Sequence, residues 1–147
     1  MASSDQPVML ITGATGSIGA AVAREAARQG WVLALHGRSA DKLAALTGEL
    51  DGHAIAADMW QEGAAKHIVA QAAEHFGRID AVVDCVSTGR GKITGLFPDT
   101  GPEDYTGFYD LSAAWFQRLA HAAYPHLNAR GGTLVAFISD AGKLAAP

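Results

Sequence analysis

Residues 12–19 read Thr12-Gly13-Ala14-Thr15-Gly16-Ser17-Ile18-Gly19. They stand between a short β-rich run, Val8 to Thr12, and an alanine-rich segment, Ala20 to Gln29, closed by Gly30. A strand, a glycine turn and a helix in that order place backbone amides and the positive end of the helix dipole where an anion would sit. In this reading Gly13 permits the tight turn, Gly16 lets the backbone approach a phosphate without a Cβ in the way, and Gly19 lets the helix pack closely on the strand. Thr15, Ser17 and Ile18 complete the predicted pyrophosphate-binding turn. The spacing is not the general G-x-G-x-x-G of dinucleotide sites, and the alternative reading is a glycine-rich turn with no ligand.

Outward from this stretch the same unit repeats. Trp31 to Leu35 reads as a second strand, followed by a helix over Ala40 to Leu50 that Ser39 can cap, with Asp41 near its positive end. His53 to Ala57 is a third, weaker strand. Asp58 and Gln61 then stand at capping-box spacing before a helix that runs to Phe76 and stops at Gly77. Ala81 to Val86 is nearly continuous in apolar character, as a central parallel strand covered on both faces would be. Ser87 to Pro102 reads as a long loop, Glu103 to about Leu127 as an aromatic-rich helix with Pro125 near its end, and Thr133 to Ile138 as a fifth strand. Five strands alternating with four helices predict a doubly wound, Rossmann-like α/β fold of three layers with strand order 3-2-1-4-5. In such a sheet the ligand binds beyond the carboxyl ends of the strands, at the switch point between the first and the fourth.

Composition narrows the function classes. With 147 residues and 49% hydrophobic content, one domain spanning 1–147 is expected. A formal net charge of -4 without a clustered Lys/Arg excess argues against a nucleic-acid partner. Cys85 is the only cysteine, which excludes an intrachain disulfide and suits a reducing compartment. The opening Met1 to Pro7 lacks a signal-peptide pattern and no 18-residue apolar run follows, so neither export nor membrane spanning is expected and a cytoplasmic setting is. The six histidines show no His-x-x-x-His pair, and no metal site is expected.

The end of the second strand bears on cofactor choice. An acid there would hydrogen-bond a ribose 2′-hydroxyl and repel a 2′-phosphate, but Gly37 stands in its place and Arg38 and Ser39 follow. A guanidinium and a hydroxyl suit a 2′-phosphate, so NADP(H) is favoured over NAD(H). The plainer reading of Arg38 is a solvated surface arginine.

Thr12-Gly13-x-x-Gly16-x-x-Gly19 resembles the fingerprint of the short-chain dehydrogenase/reductase family, in the spacing of its extended and atypical members. The likeness continues through His36-Gly37-Arg38-Ser39, Asp58-Met59, Gly77-Arg78-Ile79-Asp80 and the Gly-Gly-Thr-Leu-Val run from Gly131. It implies a dinucleotide-dependent oxidoreductase acting on a small carbonyl or alcohol substrate, in a family whose long aromatic helix commonly packs in a dimer. It also implies residue roles: Asp58 and Met59 beside the adenine, Cys85, Val86 and Ser87 along the nicotinamide ribose, and Ser139 on the substrate oxygen.

The likeness covers the N-terminal portion of the family fold, ending before the region where the family keeps its catalytic Tyr-x-x-x-Lys, and within it the chain departs from the family in two places. Asp84-Cys85-Val86-Ser87 stands where the family has Asn-Asn-Ala-Gly, which would put the Asp84 carboxylate at a strand end near the cofactor. Asp110 occupies about the place of the family's proton-relay asparagine. No Tyr-x-x-x-Lys occurs, since Tyr105, Tyr109 and Tyr124 are followed four residues on by Tyr109, Ala113 and Asn128. Two readings follow: an NADP(H)-dependent oxidoreductase of this family that transfers hydride between nicotinamide and a carbonyl or alcohol, or a catalytically incomplete dinucleotide-binding module or fragment without turnover.

Overall fold

The computed structural model describes residues 6–86 and 101–137. Five strands form one parallel sheet: β1 (Val8–Thr12), β2 (Val32–Gly37), β3 (His53–Ala56), β4 (Ala81–Asp84) and β5 (Thr133–Ala136). The strand order is β3-β2-β1-β4-β5, as the alternation of elements predicts. β1 sits centrally, with Val8 beside Val32 of β2 and Thr12 beside Asp84 of β4.

Adjacent residues of a strand point to opposite faces, and the sheet uses this to build two cores. On one face Ile11, Leu33 and Leu35 pack with α1 (Ser17–Arg28) and α2 (Ala40–Leu50) through Ala23, Ala26, Leu43 and Leu46. On the other, Leu10, Ala34 and Val82 pack with α3 (Ala64–Phe76) and the long C-terminal helical segment through Ile68, Ala72, Trp115 and Leu119. Covered on both sides, β4 is buried along its whole length, whereas β3 and β5, at the borders of the described sheet, are partly exposed. At the amino end of the sheet, Asp80 accepts the Val8 amide at 2.8 Å and the Arg78 guanidinium at 2.6 and 2.7 Å. The Arg78 partnership holds the Asp80 carboxyl below the usual carboxylate range, with the Val8 amide adding to it.

Several boundaries differ from expectation. α1 begins at Ser17, directly on the glycine turn, and β2 continues two residues further, to Gly37. β3, β4 and β5 stop at Ala56, Asp84 and Ala136. Asp58 does not cap α3. Its Oδ1 accepts the Trp60 amide at 3.1 Å in a local turn, and Gly63, in the left-handed region at φ 76°, is the residue that precedes the helix. Ser39 does cap α2, its Oγ accepting the Lys42 amide at 3.4 Å. The aromatic helix is interrupted: α4 (Pro102–Tyr109) runs into a π-helical segment (Asp110–Ala114), then α5 (Trp115–Asn128), with Pro125 inside its last turn. Residues 87–100 of the expected loop from Ser87 to Pro102, and the strand end and tail at 138–147, lie outside the described residues, while Pro102 begins α4.

Candidate dinucleotide-binding site

Because all five strands run parallel, the turns that follow them gather at one end of the sheet. The turn after β1 begins with Gly13 at φ 69°. Its hairpin is closed by the Gly16 amide donating to the Gly13 carbonyl at 3.0 Å, and it is held against β2 by the Ala14 amide donating to the His36 carbonyl at 2.8 Å. A Cβ on Gly13 would stand 2.8 Å from the Cys85 carbonyl oxygen, and one on Gly19 would run into the Gly13 carbonyl. Both positions are therefore backbone-to-backbone contacts that only glycine allows. Gly16 is exposed at the N-cap of α1, no side chain caps that helix, and its first turn contains no acid. Such a helix start leaves amides free to meet an anion. Thr15 is half-buried, while Ser17 and Ile18 are exposed beside Gly16.

After β2, a Cβ on the buried Gly37 would stand 3.0 Å from the Thr15 side chain, which would have to shift to admit any larger residue there. Arg38 is exposed, and among the described residues it forms no ion pair. Beneath it, His36 is buried. Its Nε2 pairs with the Ala57 carbonyl at 3.1 Å, while Nδ1 has no partner among the described residues. Burial pushes its pKa below the ordinary histidine value, so the ring is neutral with its proton on Nε2. Asp58 and Met59, both half-buried, follow β3 at the same end of the sheet.

The region after β4 corrects the expectation for Asp84. The carboxylate is buried in a knot: its Oδ1 accepts the Thr12 hydroxyl at 2.6 Å, the Val86 amide at 3.2 Å and the Trp115 indole N–H at 3.2 Å. One oxygen thus joins the end of β1, the chain leaving β4 and the start of α5. Beside it, burial and the Asp84 charge push the Cys85 thiol up to about 11, so it stays protonated at neutral pH. Asp110 is half-exposed in the π segment, 3.5 Å from Arg118. Ser87 and Ser139 lie outside the described residues.

The fold thus brings the glycine turn, Arg38, Ser39, Asp58, Met59, Cys85 and Val86 to one end of the sheet. A separate cavity of about 820 Å³ opens between the start of α3 and α5, with Met59, Trp60, Lys66, Trp115 and Arg118 among its lining. Of the residues singled out in the sequence as binding a cofactor, Met59 is the one that lines it. Face-to-face stacking of His53 on His75, ring centres 3.7 Å apart, was not foreseeable from spacing. Among the described residues no group of three potential ligands could hold a metal, and no helix is long and apolar enough to cross a membrane.

Comparison with known proteins agrees with this geometry. Residues 13–147 match the family model described as enoyl-(acyl carrier protein) reductase. Serine 3-dehydrogenase of Agrobacterium fabrum is 32% identical over 129 residues, 86% of this chain and 51% of that protein. Sulfoacetaldehyde reductase of Chromohalobacter salexigens is 31% identical over 141 residues, 92% of this chain and 55% of that protein. Among solved structures, the NADH-dependent reductase A1-R′ complexed with NAD superposes with a TM-score of 0.85 at 28% identity, covering 98% of this chain and 64% of that one. A short-chain dehydrogenase from Streptomyces avermitilis superposes with a TM-score of 0.84 at 27% identity, covering 97% and 53%. The chain belongs to the short-chain dehydrogenase/reductase family, whose members bind a nicotinamide dinucleotide. It spans about half the length of the curated relatives it matches.

Proposed function

We propose that this chain is the dinucleotide-binding domain, residues 1–147, of an NADP(H)-dependent short-chain oxidoreductase acting on a small carbonyl or alcohol substrate. The observation that carries the proposal is the uncapped α1 N-terminus behind the glycine turn, a cradle that Cβ atoms at Gly13 and Gly19 would fill, with Arg38 and no acid at its side. Amides around Gly13, Thr15, Gly16, Ser17, Ile18 and Gly19 hold the pyrophosphate. Arg38 and the Ser39 hydroxyl hold the 2′-phosphate, the Arg38 charge supplying most of the preference. Asp58 and Met59 flank the adenine. The backbone of Cys85, Val86 and Ser87 lines the nicotinamide ribose, and Ser139 orients the substrate oxygen. The bound dinucleotide supplies or accepts the hydride; these residues bind and orient. The buried, protonated Cys85 suits a reducing, cytoplasmic setting.

A second reading, binding without turnover, is favoured by Asp84-Cys85-Val86-Ser87 standing where the family has Asn-Asn-Ala-Gly and by Asp110 near the place of its proton-relay asparagine. The two share the cofactor site and differ in catalysis.

The test is titration of the chain with NADPH and NADH, followed by cofactor fluorescence, beside Arg38→Asp. Tighter binding of NADPH than NADH is expected, and Arg38→Asp removes that preference, at a cost to NADPH of about 10-fold or more. Equal affinities in the parent, or an unchanged preference in the variant, would overturn the assignment of NADP(H).

A further inference from the structure

Trp115 has no role so far in the dinucleotide site, although among the described residues it is the largest fully buried side chain. An indole has one N–H and no acceptor, so burying it demands a partner. That partner is Asp84, the last residue of β4, whose same oxygen takes the Thr12 hydroxyl and the Val86 amide. Thr12 directly precedes the glycine turn, and the Cys85 carbonyl packs against Gly13 where a side chain would otherwise stand. The path of Cys85 and Val86 is therefore set from two sides: by the glycine turn, and by a carboxylate whose orientation depends on its donors.

Trp115 is well placed to orient that carboxylate. It follows directly on the π segment, an irregularity often found at functional sites. Its ring also stacks at 6.3 Å on His36, whose carbonyl anchors the glycine turn through Ala14. One side chain on α5 thus touches the ends of β2 and β4, the two strands that flank β1.

We propose that Trp115 is a positioning residue of the dinucleotide site: its indole N–H, through Asp84, fixes the Cys85–Val86 backbone against which the nicotinamide half lies. The inference rests on the site reading under Proposed function. There the adenosine half is held by Arg38, Ser39, Asp58 and Met59, on the far side of β1 from Asp84. Loss of the indole hydrogen bond therefore weakens the nicotinamide half selectively, whereas a general packing defect weakens both halves.

Trp115→Phe keeps an aromatic ring against His36 and removes the N–H. Parent and variant are titrated with NADPH and with adenosine 2′,5′-bisphosphate, which carries the adenine, ribose and 2′-phosphate but no nicotinamide. NADPH binding is expected to weaken about 10-fold and bisphosphate binding to stay within about twofold, the loss of one charge-assisted hydrogen bond on one side of the site. Equal losses for both ligands, or no loss for either, would overturn the proposal. A parent that binds neither ligand removes the site itself and this inference with it. If the variant does not fold, the indole signals of the three tryptophans in the ¹⁵N-labelled parent serve instead, assigned with Trp31→Phe and Trp60→Phe. NADPH is expected to shift the Trp115 signal and the bisphosphate to leave it in place; the same response to both, or none, contradicts the account.

Discussion

The Cys85 carbonyl oxygen lies 2.8 Å from the point where a Cβ on Gly13 would stand, so the glycine turn after β1 and the chain leaving β4 are packed backbone to backbone. This contact lies at the switch point of the sheet, between β1 and β4, where doubly wound folds bind their ligands. Gly13 is therefore constrained twice, by its positive φ and by its neighbour.

Gly13→Ala should cost about 3 kcal/mol, combining left-handed strain with overpacking, whereas Gly30→Ala should cost about 1 kcal/mol. Gly30 has a similar φ, 84°, but nothing within 4 Å of its would-be Cβ. Urea unfolding of both variants measures the difference. Equal costs would mean that the turn gives way and that the Gly13–Cys85 contact is not rigid.

Mild acid should weaken the fold through His36 and His53. His36 and His53 both have pKa values lowered in the folded chain, by burial first in each case and by His75 in addition for His53. A group with a depressed folded pKa contributes stability that is complete above its unfolded pKa, about 6.5 for histidine, and is lost as pH falls below it. The urea midpoint should drop between about pH 7.5 and pH 5.5, and His36→Gln should flatten that drop. The depressed carboxyl of Asp80 enters only lower, below its unfolded pKa of about 3.9. An identical pH slope in parent and His36→Gln would show that His36 is not the proton acceptor.

Self-association is expected through β5. Val135 and Phe137 are 43% and 51% exposed, Tyr124 on α5 is 64% exposed, and among the described residues no strand pairs with the outer edge of β5. Apolar side chains beside an open strand edge favour pairing with another chain. Sedimentation velocity should find oligomers in the parent and a shift to monomer in Val135→Lys/Phe137→Ser. A monomeric parent, or a variant with unchanged mass, would contradict this.

The architecture was legible because its signals are local. Glycine after one apolar run, a capping serine before α2 and a nearly all-apolar fourth strand each act within a few residues, and strand order follows from their alternation. What escaped depends on distant partners. Asp84 looked like a carboxylate facing the cofactor, because its acceptor role needs Thr12 across the sheet and Trp115, 31 residues further on. His36 gave no sign of being buried, since its strand was expected to end one residue before it. Asp58 and Gln61 satisfied a capping pattern that Gly63 overrides by turning the chain before α3 begins. The π segment was invisible because its extra residue per turn does not break an apolar periodicity already broad with aromatics.

The central claim, that the start of α1 receives a pyrophosphate, is tested most directly by Gly16→Asp. Gly16 has an extended backbone, φ -79° and ψ 167°, at the N-cap of α1, where aspartate is a favoured residue. The new carboxylate would satisfy the helix amides and repel phosphate, so stability and binding should part company. Calorimetric titration with NADPH, beside a thermal melt, should show saturable binding by the parent and none by Gly16→Asp, with a Tm close to the parent's, the new cap offsetting a Cβ that stands 3.3 Å from the Gly13 carbonyl. NADPH binding by Gly16→Asp as tight as by the parent would place the cofactor elsewhere and contradict the account.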